Sequence, residues 1–251
     1  MSLNNLSSTS FDNLYHSFLD LKVNQKTVLA VLIDPDKTSP NFLTKIIENI
    51  KFAPVQYIFI GGSLINNFAI SEMVTFIKSK TSIPVILFPG HPMQFEENFD
   101  GLLFLSLISG RNAELLIGQH VLVATKIRQS KVEVLPTGYM LIDGGKATSV
   151  SYISNTIPIP ADKNDIAIST ALAGEMLGLK LIFMDAGSGA YNPIDPDMVN
   201  KVAKVLKIPL IVGGGIKTAE RINDLKKAGA NVIVLGNCLE SNPDLLKELN
   251  W

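Results

Sequence analysis

Eight short aliphatic runs recur along this chain, each apolar on both faces and each set off from the next by a longer connection. They are Val28–Ile33, Tyr57–Ile60, Val85–Phe88, Leu102–Leu107, Tyr139–Ile142, Leu181–Met184, Leu210–Val212 and Val232–Leu235. Strands of that kind belong to a parallel sheet covered on both sides. Helical patterns fill most of the connections: Asn41–Lys51, Asn67–Lys80, Asn112–Arg128, Lys163–Leu177, Asp195–Leu206 and Thr218–Ala228, with a last short helix from Asn242 to Trp251. Thr218 suits an N-cap and Gly229 a C-cap. The alternation predicts an α/β fold, a closed (β/α)8 TIM barrel. At 251 residues the chain has the usual length for one such barrel, so residues 1–251 are expected to form a single domain, with an N-terminal helical extension over about 1–26. The third crossover is the exception. Only thirteen residues separate Phe88 from Leu102, with Gly90, Pro92 and Gly101 at or near its ends, so a loop is expected in place of the third helix. The polar stretch Gly144–Asp162 reads as a long loop over one barrel mouth.

Composition narrows the function classes. Hydrophobic residues at 47% and charged residues at 18% exclude a disordered chain. The most apolar window, Ile166–Met184, contains Glu175, Gly178 and Lys180 and reads as helix, turn and strand, so no transmembrane segment is expected. No basic residue precedes Lys22, which argues against a signal peptide. One cysteine suits a reducing cytoplasm, and a net charge of −1 without a basic block makes nucleic acid an unexpected partner.

In a barrel the chemistry sits at the C-terminal strand ends. Here those ends read Asp34-Pro-Asp-Lys, Gly61-Gly-Ser, Phe88-Pro-Gly-His, Asp143-Gly-Gly-Lys, Asp185-Ala-Gly-Ser-Gly-Ala, Gly213-Gly-Gly-Ile-Lys and Gly236-Asn. Three glycine-rich tips on the last three strands point to a phosphate site, because glycines let backbone N–H groups approach phosphate oxygens. Asp34 and Ser63 end neighbouring strands, about 5 Å apart in such a sheet, and their oxygens suit a shared Mg²⁺. Equally, Asp34 caps a turn while Asp36 and Lys37 form a solvated pair; position alone leaves both open. His16, His91 and His120 lack metal-ligand spacing, and His91 reads as a surface residue. Cys238 reads as a small buried thiol. Lys146 and Lys217 lie past the strand ends, whereas barrel lysines that form Schiff bases usually sit within a strand.

Taken in order, Leu32-Ile-Asp-Pro-Asp-Lys, Ile60-Gly-Gly-Ser-Leu, Phe88-Pro-Gly, Gly138-Tyr-Met-Leu-Ile-Asp-Gly-Gly-Lys, Asp185-Ala-Gly-Ser-Gly-Ala, Val212-Gly-Gly-Gly-Ile and Gly236-Asn resemble the geranylgeranylglyceryl phosphate synthases, more closely the second group of that family, over about Val28 to Asn237. The resemblance implies transfer of an all-trans prenyl group, geranylgeranyl above all, from its diphosphate to the C3 hydroxyl of sn-glycerol 1-phosphate, a step of ether-lipid biosynthesis. It implies Mg²⁺ on Asp34 and Ser63. It implies glycerol phosphate on Phe183, Met184, Asp185, Ala186, Gly187, Ser188 and Gly189, on Gly213, Gly214 and Gly215, and on Gly236 and Asn237, with Asp185 as the catalytic residue. A homo-oligomer and transient membrane contact for the lipid product are the expected associations. Ile65, Phe68, Met93, Leu105, Leu107 and Tyr139 are candidates for the prenyl groove. Two departures stand out. Phe183-Met-Asp185 replaces the family's Tyr-Leu-Glu, which removes a phenol and shortens the carboxylate by one methylene; and Leu32 stands where the first group carries a phosphate-binding lysine. The alternatives are another phosphate-binding barrel isomerase or lyase, and a non-catalytic phosphate- or prenyl-binding protein.

Overall fold

The computed structural model describes residues 13–65, 70–249 and 251. The start of the N-terminal extension, the first turn expected at Asn67 and the groove candidate Phe68 lie outside the described residues.

The eight strands close into a parallel barrel in sequence order. They are β1 (Val28–Ile33), β2 (Val55–Ile60), β3 (Val85–Leu87), β4 (Gly101–Leu107), β5 (Glu133–Leu141), β6 (Leu181–Asp185), β7 (Leu210–Gly213) and β8 (Val232–Leu235). The helices are α1 (Asn13–Val23), α2 (Pro40–Asn49), α3 (Ile70–Lys80), α4 (Gln119–Gln129), α5 (Ser149–Ser154), α6 (Asn164–Met176), α7 (Pro196–Val205), α8 (Ala219–Lys227), α9 (Asn237–Ser241) and α10 (Leu245–Glu248). Side chains alternate along each strand, so the core has two layers. Tyr57, Phe59, Leu103, Leu135, Phe183 and Val234 fill the barrel, while Ile58, Ile60, Met184, Val212 and Ile233 pack outward against the helices. Helix starts follow local chemistry: Ser39, Asp195 and Thr218 accept N–H bonds at the first turns of α2, α7 and α8.

The expected extension is part of the core. Leu14, Phe18 and Leu21 of α1 plug the N-terminal end of the barrel, and Phe18 stacks on Tyr57 at 4.1 Å between ring centroids. The Glu133 carboxylate at the start of β5 accepts from the N–H groups of Leu14 (2.8 Å) and Tyr15 (2.7 Å), satisfying orphan donors of the first turn of α1.

Several boundaries differ from the sequence reading, while the third crossover matches it. The third crossover holds one 3-10 turn, Pro92–Gln94, and no helix, as its length and glycines require. The Gly144–Asp162 loop contains α5, closed by a capping box between Thr148 and Ser151. β5 begins at Glu133 and runs through Pro136, whose carbonyl accepts from Lys180 N–H at 2.8 Å while its missing N–H gives no donor. Within the range Asn242 to Trp251 only the short α10 forms, and an unexpected helix, α9, precedes it, with Asn242-Pro-Asp as the turn between them. Among the described residues no helix is long and apolar enough to cross a membrane.

Candidate active site

A cavity of about 870 Å³ opens at the C-terminal mouth of the barrel, toward the upper end of the about 300–1,000 Å³ usual for ligand sites. It runs from Asp34 at β1 round to Asn237 at β8, and branches between β4 and α4 over Leu102, Phe104, Val123 and Ile127. That branch exists because the third crossover supplies no helix to cover β3 and β4.

The polar end is built from turns. Gly187, Gly189, Gly214 and Gly215 all have φ between +67° and +87°, a left-handed backbone that turns successive N–H groups into a concavity. Gly214 admits no side chain: a Cβ there would lie 2.4 Å from Asp185 Oδ1 and 2.6 Å from the Ala186 nitrogen. Ser188 Oγ donates to Asn237 Oδ1 at 2.7 Å, tying the β6 tip to the β8 tip. Ser188, Gly189, Gly213, Gly214, Gly215, Gly236 and Asn237 line the cavity, and so do Phe183 and Asp185. Met184, Ala186 and Gly187 do not: the first two are buried in the outer layer against the helices, as alternation requires, and the Gly187 N–H is turned to Asp185.

Asp185 is buried at the floor. Its Oδ1 accepts from Gly187 N–H at 2.8 Å and its Oδ2 from the Tyr139 hydroxyl at 2.5 Å. Burial raises its pKa, and the bonds from Tyr139 and Gly187 oppose that shift by favouring the carboxylate. Burial, reinforced by the Asp185 charge, holds the Tyr139 phenol well above its ordinary range. Phe183 has no hydroxyl to offer, but Tyr139 pairs with it in the β5–β6 register, so a phenol reaches Asp185 from the neighbouring strand. Sequence reading assigned Tyr139 to the prenyl groove. The available signal was parallel register: two inward side chains at one height, with Asp185 two residues further up. Phe88, Tyr139 and Phe183 form an aromatic floor, with Phe183 lying 5.2 Å from Phe88 and 5.5 Å from Tyr139 between centroids.

At the other end, Asp34 and Ser63 line the same cavity from adjoining tips. The β2 tip lies against Asp34, since a Cβ on Gly62 would touch its carboxyl at 3.6 Å. Both readings of Asp34 have a counterpart here. Its Oδ1 accepts from Asp36 N–H at 3.1 Å, a turn cap, and its Oδ2 is paired with Lys37 Nζ at 2.9 Å. Lys37 therefore pairs with Asp34, three residues back across the turn, and the Asp36 charge also acts on its ammonium. One carboxylate and one hydroxyl are hard oxygen donors. No group of three His, Cys, Asp or Glu gathers among the described residues. Such a donor set fits Mg²⁺, which keeps water and substrate phosphate as its other ligands.

Other candidates are placed plainly. His91 is exposed at the rim, where its Nδ1 accepts from Met93 N–H at 3.2 Å. His120 is buried, edge-on to Phe104 at 4.3 Å in the apolar branch, and burial lowers its pKa. Burial pushes the Cys238 thiol up to about 11, which suits packing rather than nucleophilic attack. Lys146 and Lys217 are both exposed, unlike a desolvated Schiff-base lysine; Lys146 lies over the Tyr191 ring at 4.5 Å.

Residues 22–250 match the model of the PcrB family. The chain is 52% identical over 238 residues to a geranylgeranylglyceryl phosphate synthase of Chitinophaga pinensis, covering 95% of this chain and 94% of that one. It is 38% identical over 221 residues to the synthase of the same name from Pyrococcus abyssi, covering 88% and 87%. Among solved structures, (S)-3-O-geranylgeranylglyceryl phosphate synthase of Thermoplasma acidophilum, in complex with its substrate sn-glycerol-1-phosphate, superposes with a TM-score of 0.87 at 33% identity, covering 93% of this chain and 95% of that one.

Proposed function

Since this chain belongs to the PcrB family of geranylgeranylglyceryl phosphate synthases, we propose that Asp185 and Tyr139 are the pair through which it handles the glycerol hydroxyl. The protein is a prenyltransferase that moves a geranylgeranyl group from its diphosphate to sn-glycerol 1-phosphate. A carbon–oxygen bond forms between the C3 hydroxyl and the allylic C1, the C1–oxygen bond to diphosphate breaks, and the hydroxyl proton passes to Asp185. One observation carries this assignment: a buried carboxylate, gripped by Tyr139 and Gly187, lies between the glycine-rich corner and the apolar branch.

Each part of the chain then has a task. Backbone N–H groups around Gly189, Gly214 and Gly215, with Ser188 and Asn237, hold the glycerol phosphate. Asp34 and Ser63 are the residues that would hold Mg²⁺, which when bound supplies charge neutralisation at the leaving diphosphate. The ring faces of Phe88 and Phe183 shield and stabilise the electron-poor allylic carbon. Leu102, Phe104, Val123 and Ile127 take the tail. No covalent enzyme nucleophile is needed, because the allylic double bond already stabilises positive charge at C1.

Ile117, Val121 and Leu122, exposed on and before α4, support the expectation of a homo-oligomer, which sedimentation measures. The single cysteine is the ground for placing the reaction in the cytoplasm. Incubation with Mg²⁺, each enantiomer of glycerol phosphate and prenyl diphosphates of several lengths, with products weighed by mass spectrometry, tests the whole reading. The expected product is the geranylgeranyl ether of the sn-1-phosphate; equal rates with both enantiomers would contradict a site that bonds both hydroxyls.

A further inference from the structure

The cavity must accept two anions, yet acids dominate its lining. Asp34, Asp36, Glu96, Asp185 and Glu240 border it, against Lys37 and Lys217 among the described residues. Lys217 follows the Gly213–Gly215 tip, at the corner read as the glycerol phosphate site. Lys37 stands at the opposite corner, beside Asp34.

The turn that carries Lys37 is closed by backbone bonds. Lys37 N–H donates to the Asp34 carbonyl at 3.1 Å, and the Thr38 hydroxyl donates to the same carbonyl at 2.7 Å. The side chain is less constrained: it is 46% exposed and pairs with Asp34 Oδ2 at 2.9 Å. Because Oδ1 already accepts from Asp36 N–H, Oδ2 is the oxygen open to a metal ion, and it is the one the ammonium occupies. Two cations crowding one carboxylate oxygen repel each other, so a divalent ion on Oδ2 releases Lys37 into a cavity where an anion has just arrived.

We propose that Lys37 is a diphosphate-binding residue that neutralises Asp34 in the empty enzyme and turns to the prenyl diphosphate when a divalent cation takes Asp34. The inference rests on reading Asp34 as the metal ligand. It makes Lys37 a competitor of the metal when diphosphate is absent and a partner of it when diphosphate is present, so that the two ligands promote one another's binding.

The test uses direct binding, with Mn²⁺ alone followed by electron paramagnetic resonance and inorganic pyrophosphate in saturating Mg²⁺ followed by calorimetry. Lys37→Met is expected to bind Mn²⁺ about threefold or more tighter, because its competitor is gone. The same variant should bind pyrophosphate about tenfold or more weakly, the usual loss for one charge-assisted bond. Lys37→Arg should restore most of the pyrophosphate affinity. The exposed position keeps the fold, which thermal unfolding verifies. Asp34→Asn separates the two claims. If it loses Mn²⁺ while Lys37→Met matches wild type in either titration, the metal reading stands and the role of Lys37 is overturned. If Asp34→Asn binds Mn²⁺ as wild type does, both fall.

Discussion

Asp185 has two duties that can be told apart. Its Oδ1 caps the turn into Gly187, and its Oδ2 meets the Tyr139 phenol. Asp185→Ala is expected to lower single-turnover rate by about 10²–10⁴-fold, the range for one acid–base group. If the carboxylate only capped the turn, the variant would lose about 0.5–2 kcal/mol of stability and keep its rate; chemical denaturation beside rapid-quench kinetics distinguishes these. A pH profile gives a second view. A base must be ionised to accept a proton, and burial raises the Asp185 pKa, so the rate should begin to fall above the ordinary carboxylate range as pH decreases. The bond from Tyr139 favours the ionised form. Tyr139→Phe should therefore move the acid limb of kcat to still higher pH, and an unmoved limb would detach Tyr139 from Asp185 in the reaction.

Elements set where these side chains meet. Gly214 belongs to the β7 tip, yet it is Asp185 on β6 that excludes a Cβ there. Gly214→Ala combines that collision with a φ of +83° and should cost about 1–3 kcal/mol in urea unfolding, while raising KM for sn-glycerol 1-phosphate. At the other end of the barrel, α1 acts only through packing. Phe18 is fully buried against Tyr57, so Phe18→Ala is expected to cost about 3–5 kcal/mol. The folded fraction should turn over at the normal rate, because the plug lies at the opposite end of the barrel from the chemistry.

On the scale of the molecule, the missing third helix is what the proposed tail site depends on. The gap leaves the apolar branch open beside β4, and the rim around it exposes Leu64, Met93 and Ile153. On the proposed reading the tail enters and leaves there, and the rim is then where product would meet a bilayer. Replacing Leu64 and Met93 together by Ser should slow transfer of product to liposomes in a stopped-flow assay while single-turnover chemistry stays near normal. Equal release rates would assign product exit to another route.

The strand tips were legible in the sequence because a barrel gathers its C-terminal strand ends on one face, and each tip is a contiguous motif. That rule alone put Asp34, Ser63, Ser188, Gly213–Gly215 and Asn237 at the mouth, and all of them line the cavity. Contacts between tips were a different matter. Tyr139 reaches Asp185 across 46 residues only through β5–β6 register, and Lys37 meets Asp34 by the way one turn closes. Met184 and Ala186 shared a motif with residues of the site and still faced the helices, because alternation assigns successive side chains to opposite layers. Contiguous motifs, through the family they resemble, thus indicated which chemistry this chain carries; which oxygen meets which proton waited for the closed barrel, since hydrogen bonds depend on ångström-scale distances that only packing sets.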